Sequence, residues 1–261
     1  MNLLMKALDK YRHSARFIAV YFLAVALAIS SSAVSADNKG LVLVAGATGG
    51  TGRATVAELT RNGYRIRAFV RNIDSAREKL GDEIEFAEGD VRNRATIDAA
   101  MNGVSAIVSA IGAGRGDPSN SPEFVDYGGV KNLVEAAADS DVQRFVLVSS
   151  MGVTHEDHPL NKMFNNILIW KFKGEEVLRN SGIAYTVVRS GGLTDDAGEK
   201  SSLFFQQGDT GQGHIPRADV ARVIVEALGQ PEAIGKTFEV ISGDGPPAAD
   251  LSKQFTSLEE D

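Results

Sequence analysis

The stretch Leu41-Val-Leu-Val-Ala-Gly46-Ala-Thr48-Gly49-Gly50-Thr51-Gly52-Arg53 decides how this chain folds. Its first five residues are an apolar run of the length and type that suit a strand buried on both faces. Gly46, Gly49 and Gly52 then stand at G-x-x-G-x-x-G spacing, and helix-forming residues follow. Without side chains, the main chain turns sharply there and a bound phosphate can approach it closely. The helix N-terminus adds unpaired N–H groups and the positive end of its dipole. A glycine string alone means little, because many turns need one. Between a strand and a helix it implies a site for the pyrophosphate of a dinucleotide.

Outward from this stretch, apolar runs at 41–46, 65–70, 84–90, 106–112, 144–150 and 184–190 alternate with helical periodicity at 52–62, 75–80, 94–101, 123–140, 159–181 and 216–228. A late run at 237–242 supplies a seventh strand. This alternation predicts an α/β fold, a doubly wound parallel sheet forming a single domain over 37–261 with a small C-terminal substrate-side extension. The loops 112–122 and 194–213 follow strand ends and are rich in Gly, Asp and Ser. In an open α/β sheet ligands sit beyond the carboxyl ends of the strands, so these loops are expected to wall a pocket for a small-molecule substrate.

Composition narrows the function classes. Of 261 residues, 43% are hydrophobic and 23% charged, which excludes collagen-like, disordered and multi-span membrane chains. A net charge of −7 argues against a nucleic-acid partner, whose binding draws on phosphate neutralisation. The chain has no cysteine, which removes disulfides, thiolate metal sites and thiol nucleophiles together. His155 and His158 flank Glu156 and Asp157 and read as a solvated loop, so no metal is expected.

Residues 1–36 read as targeting sequence. Lys6, Lys10, Arg12 and Arg16 precede an uncharged run at 17–29, and small residues follow through Ala36. That order describes a secretory signal peptide, or an uncleaved anchor as the one membrane contact, and the run is short for a transmembrane span. The expectation is an exported, extracytoplasmic domain, with a cytoplasmic one as the alternative. Removing residues 1–36 would leave a net charge of −10.

The string GATGGTGR (46–53) resembles the glycine loop of the atypical short-chain dehydrogenase/reductase group, which has a Rossmann fold and binds NAD(P). The segments ILIWKFKGEEVLRNSGIAYTVVRSGGL (167–193) and HIPRADVARVIVEAL (214–228) are similar to the Tic62-like and flavin/biliverdin reductase-type members of its NmrA-like branch. About 20 residues past the loop, where an acid would bind the ribose of NAD, this chain has Arg71, with Arg53 beside the last loop glycine. Two guanidiniums suit the 2′-phosphate of NADP, with NAD the less favoured cofactor and two solvated surface charges the plainer reading.

The resemblance implies further contacts. Asp90 and Val91 would lie beside adenine, Ala110 and Gly112 would line ribose and pyrophosphate, and Gly191 and Gly192 would offer main chain to the carboxamide. Ser150 and Lys171 would be catalytic, with Ser149 beside them and Lys171 also holding the nicotinamide ribose. The group's usual acid is a tyrosine four residues before the lysine, and Ile167 stands there. Tyr127 is the one substitute within reach, against the commoner role of a half-buried packing tyrosine. Loss of the phenol weakens reduction of isolated ketones more than hydride transfer to a conjugated or quinone-like acceptor, whose anion is delocalised. The sequence therefore supports an NADP(H)-dependent reductase acting on a small conjugated or quinone-like acceptor, with a non-catalytic NADP(H)-binding sensor or scaffold as the alternative.

Overall fold

The computed structural model describes residues 39–114 and 117–261, so the targeting segment 1–36 lies outside the described residues. The run read as the first strand is β1 (Leu41–Ala45), and all five of its residues are buried. Val42 and Val44 point into one apolar cluster and Leu41, Leu43 and Ala45 into another, which is the period-two alternation of a strand covered on both faces. β2 (Arg65–Val70), β3 (Glu85–Glu88), β4 (Val104–Ser109), β5 (Arg144–Ser150) and β6 (Tyr185–Ser190) follow as expected. The late run forms the longer strand Lys236–Ser242.

Three short strands lie between β6 and that last one: β7 (Gly192–Thr194), β8 (Leu203–Gln206) and β9 (His214–Pro216), which makes Lys236–Ser242 β10. The main sheet has the order β3-β2-β1-β4-β5-β6-β10-β8. Every pairing in it is parallel except that of β8 with β10. From β1 the chain winds first towards β3 and then, from β4, the other way. The crevice where the order reverses lies beyond the ends of β1 and β4, directly at the glycine loop.

One face is covered by α1 (Gly50–Arg61), α2 (Ile73–Leu80) and a later helix, Arg217–Gly229. The other carries α3 (Arg94–Ala100), α4 (Val130–Ala138) and α6 (Ile167–Arg179), the last preceded by the short α5 (Pro159–Met163), so Arg217–Gly229 is α7. Val56, Leu59, Ile224 and Phe238 meet on the first face, and Ile97, Leu133, Phe145 and Leu178 on the second. Phe205, Phe238 and a short helix bearing Phe255 close the far edge as an aromatic trio, with ring centroids 4.9 to 5.7 Å apart.

Two expected helices take other forms. The stretch 123–140 begins as a π-helical segment, Glu123–Gly129, before α4. The stretch 159–181 is two helices, because Asn165 and Asn166 adopt left-handed backbone at φ 49° and 59°. The buried amide of Asn161 fastens this break. Its Oδ1 accepts the N–H groups of Leu168 and Ile169, and its Nδ2 donates to the carbonyls of His155 and Glu156. The loop 194–213, expected to be irregular, contains β8. Its alternating burial shows a period-two pattern hidden among polar neighbours.

Candidate active site

Gly46 takes φ 82°, and a side chain on it would fall 2.5 Å from the Ala110 carbonyl of the neighbouring strand end. A side chain on Gly52 would fall 2.1 Å from the carbonyl of Gly46, so these two glycines let the turn close on itself. Gly49 N–H donates to Gly46 O at 3.0 Å, and Gly49 caps α1 in extended conformation with no side-chain bond to the first turn. The next two helices differ. Asn72 caps α2 and Asn93 caps α3, each accepting an N–H group from the helix it starts. The first turn of α1 keeps donors aimed outward from a cradle without side chains, and that fits the diphosphate of a dinucleotide.

Beside the cradle opens a cavity of about 1900 Å³ beyond the carboxyl ends of β4, β5 and β6. Of the residues expected at the site, Thr51, Ala110, Gly112, Ser149, Ser150 and Lys171 line it, as do Gly191 and Gly192. The two serines end β5, where Ser149 Oγ is buried without a hydrogen-bond partner and Ser150 Oγ donates to the Met151 carbonyl at 3.0 Å. Lys171 lies in the first half of α6. Its Nζ lies 2.8 Å from Oδ1 of Asp126, a fully buried side chain in the π-helical segment. Asp126 Oδ2 accepts the N–H group of Ala113, tying the loop after β4 to the same carboxylate. Gly174 permits the approach, since a side chain there would fall 2.7 Å from the Asp126 carbonyl.

Asp126 is a functional candidate that the sequence reading passed over in favour of its neighbour Tyr127. The signal was present: Asp126 shares one helical face with Val130, Leu133, Val134 and Ala137, all buried, and a charge on an apolar stripe needs a partner. Tyr127 does not line the main cavity; it packs against Trp170, ring centroids 5.8 Å apart, at a separate groove. Ile167 lines the cavity one turn before Lys171, and among the described residues no tyrosine lines it.

The N–H groups of the two glycines after β6 are not free for a ligand. Gly191 N–H donates to the Val240 carbonyl and Gly192 N–H to the Gly213 carbonyl, so both donors are engaged within the protein. They let β7 and β9 approach, for a side chain on Gly191 would lie 2.7 Å from Gly213 O.

Asp209 holds the far wall. Its Oδ1 accepts Gly152 N–H at 2.6 Å, and its Oδ2 accepts the N–H and hydroxyl of Thr154 at 2.9 and 2.8 Å. His155 Nε2 donates to its carbonyl, and its own N–H donates to the buried Glu239 at 3.0 Å. Burial raises the Glu239 carboxyl above the usual range, against the lowering effect of the Asp209 N–H and of Arg189. Arg189 in turn reaches Glu175 at 2.7 Å, so the loop wall rests on a chain of buried charges. The sequence reading missed this chain too, although Arg189 and Glu239 are charges in the buried stretches of two strands and pair in register.

At the adenosine end the expected groups lie apart from the cavity. Asp90 is held by Arg92, which donates to both carboxylate oxygens and reaches the Ser119 carbonyl, so its carboxylate is already engaged and sits below the usual aspartate range. Val91 offers its carbonyl to Asn132 at 2.8 Å. Arg53, in the first turn of α1, and Arg71, just past β2, are exposed. Neither pairs with a carboxylate among the described residues, in contrast to ten other arginines.

Comparison with known proteins agrees with this geometry. The NAD(P)H-binding family matches residues 46–231. An uncharacterized chloroplastic protein of Arabidopsis thaliana is 38% identical over 89% of this chain and 79% of its own length. Sanguinarine reductase of Eschscholzia californica is 33% identical over 83% of this chain and 95% of its own. The chloroplastic protein TIC 62 of Arabidopsis thaliana is 32% identical over 88% of this chain but 40% of its own length. Among solved structures, a putative NAD-dependent epimerase/dehydratase from Bacillus halodurans superposes with a TM-score of 0.73 at 29% identity, covering 84% of this chain and all of that one.

These relatives correct the expectation of export, since two of the three are chloroplastic proteins. A basic, serine-containing, acid-poor leader is common to transit and secretory peptides, so composition alone did not separate them. Among the described residues no helix is long and apolar enough to cross a membrane. With its glycine cradle, its sheet order and these relatives, the chain belongs to the NAD(P)H-binding family of Rossmann-fold proteins.

Proposed function

We propose that this protein is an NADPH-dependent reductase that passes hydride to a large, flat, conjugated acceptor. The observation that carries this reading is the cavity. At about 1900 Å³ it exceeds the 300–1,000 Å³ of common small-molecule sites, which leaves room for a second sizeable ligand next to a dinucleotide. Its outer part is lined by Met151, Leu160, Met163, Ile167, Leu168 and Leu193, a surface suited to an apolar ring system. Sanguinarine reductase, similar over nearly its whole length, is named for reducing another compound of its own, and the proposal extends the class of reaction rather than that substrate.

NADPH, when bound, supplies the hydride. Lys171 would hold its ribose, with Asp126 fixing the ammonium in place. Ser150 and Ser149 would face the acceptor, and their hydroxyls are the polar groups available to stabilise charge as it develops there. Arg53 and Arg71, exposed and without carboxylate partners, support NADPH over NADH, because an unpaired guanidinium at each position is free for a 2′-phosphate.

The test is an NADPH-oxidation screen of the purified protein against quinones, flavins, aldehydes and sanguinarine. Turnover with conjugated acceptors and none with simple aldehydes is expected. Tight NADPH binding with flat traces throughout would overturn the reductase reading in favour of a cofactor sensor. Arg71→Asp is expected to weaken NADPH binding about ten- to a hundredfold and to leave NADH nearly unaffected.

A further inference from the structure

Arg217 is the first residue of α7, a position where the helix dipole disfavours a cation. Its side chain does not turn away to solvent. It crosses to the glycine loop, where a side chain on Gly50 would fall 2.6 Å from its Nε and 2.8 Å from its Cδ. It lines the large cavity together with Thr51, the next residue of the cradle. Its Nη1 lies 2.7 Å from Asp195 Oδ1, and that carboxylate is 89% exposed, on the loop that follows β7.

A guanidinium leaning on the uncapped turn of α1 adds a mobile cation to donors that are fixed in the backbone. An exposed single-carboxylate partner holds it weakly, because water and salt screen such a pair, whereas an arginine on a phosphate forms a charge-assisted and often bidentate bond. We propose that Arg217 binds the pyrophosphate of the dinucleotide, leaving Asp195 to do so, and that Asp195 is its competing partner when no dinucleotide is present. The exchange links the phosphate cradle to the loop after β7. This loop is otherwise anchored to α7 through the Glu199 N–H on Asp219 and through Arg222. The inference rests on the dinucleotide part of the proposed function and not on the identity of the acceptor.

Equilibrium binding of NADPH, NADH and adenosine 2′-monophosphate to the full chain, followed by calorimetry, tests this. Arg217→Met is expected to weaken NADPH and NADH by the same factor, about ten- to a hundredfold, and to leave adenosine 2′-monophosphate unchanged, because that probe has no pyrophosphate. Asp195→Asn, at an exposed position that does not threaten folding, is expected to tighten NADPH and NADH about two- to fivefold. Unchanged dinucleotide affinity in Arg217→Met, or a loss confined to NADPH, would overturn the assignment. Failure of Asp195→Asn to tighten binding would overturn the exchange. None of these measurements needs turnover, so a protein that binds NADPH but reduces nothing still decides the matter.

Discussion

The two ends of the cavity are built in different ways. The proposed cofactor end is one continuous stretch, 41–53, whose strand, turn and helix follow each other without insertion, and whose candidate binding groups are main-chain N–H donors fixed by glycine. The acceptor end is assembled from the loops after β5, β6 and β8, and buried polar side chains far apart in sequence hold it in shape. Asp209 bonds to residues 55 and 57 positions away, and Asn161 spans the break between α5 and α6. Backbone geometry shapes the first end and side-chain networks shape the second, where the proposed acceptor would sit.

The sharpest way to break this comparison is to put a side chain on the cradle. Gly52→Val has no room, with the Gly46 carbonyl 2.1 Å from the first added carbon, so loss of the folded protein from the soluble fraction is expected. Gly49 has its nearest neighbour at 3.3 Å and opens towards the phosphate side. Gly49→Val should keep a cooperative melting transition while losing NADPH binding. If Gly49→Val binds NADPH like the parent, the loop is structural and the cofactor end is not where the geometry puts it.

Lys171 and Asp126 come next, as the place where the two ends meet. Removing the cation in Lys171→Met leaves a fully buried carboxylate facing an apolar stripe, at about 3–5 kcal/mol of stability. Lys171→Met with Asp126→Asn should recover most of that loss, as read by urea denaturation of both variants. Equal destabilisation of the single and double variants would mean that Asp126 acts through Ala113 and not through the lysine.

How far the sequence carries the reading follows the same division. The strands around the glycine loop, their parallel doubly wound arrangement and the helices on both faces were legible, because local periodicity and glycine spacing are properties of contiguous residues. The small β7–β9 sheet and β8 were not, since three- and four-residue strands in a polar loop carry too short a pattern to separate from turns. Ser149, Ser150 and Lys171 line the cavity, since the end of β5 and the first half of α6 face it. The engagement of the Gly191 and Gly192 donors, and of Asp90 by Arg92, depends on contacts across 2 to 49 residues that no spacing rule reports.

A smaller effect tests whether the acceptor end behaves as a local unit. Asn161→Ala removes an acceptor from the start of α6 and two donors to the 155–156 turn, all buried or nearly so, for about 1–3 kcal/mol. Amide hydrogen exchange should then quicken across 155–169 while β1 and α1 keep the parent's protection. Uniform quickening over the whole sheet would show that the loops and the cradle open together, against the division drawn here.

The least effect expected is in the pH dependence, where two regions carry opposite signs. In the separate groove outside the cavity the Arg92 guanidinium, hydrogen-bonded to Asp90, holds that carboxyl below its ordinary range. Its folded value is lower than its unfolded value, so its contribution is full above the ordinary aspartate value of about 3.9 and is lost as pH falls through the lowered one. At the acceptor end burial pushes Glu239 above its ordinary range. The folded state then holds that proton more tightly than the unfolded chain does, so stability falls as pH rises from about 4.3 through the raised value and levels off beyond it. Melting temperatures across this range should therefore show Asp90→Asn flattening the acid limb and Glu239→Gln flattening the decline above it. Asp90 is partly exposed, so its share is the weaker of the two. Variants that both flatten the same limb would refute the opposite signs and leave the groove and the cavity wall electrostatically alike.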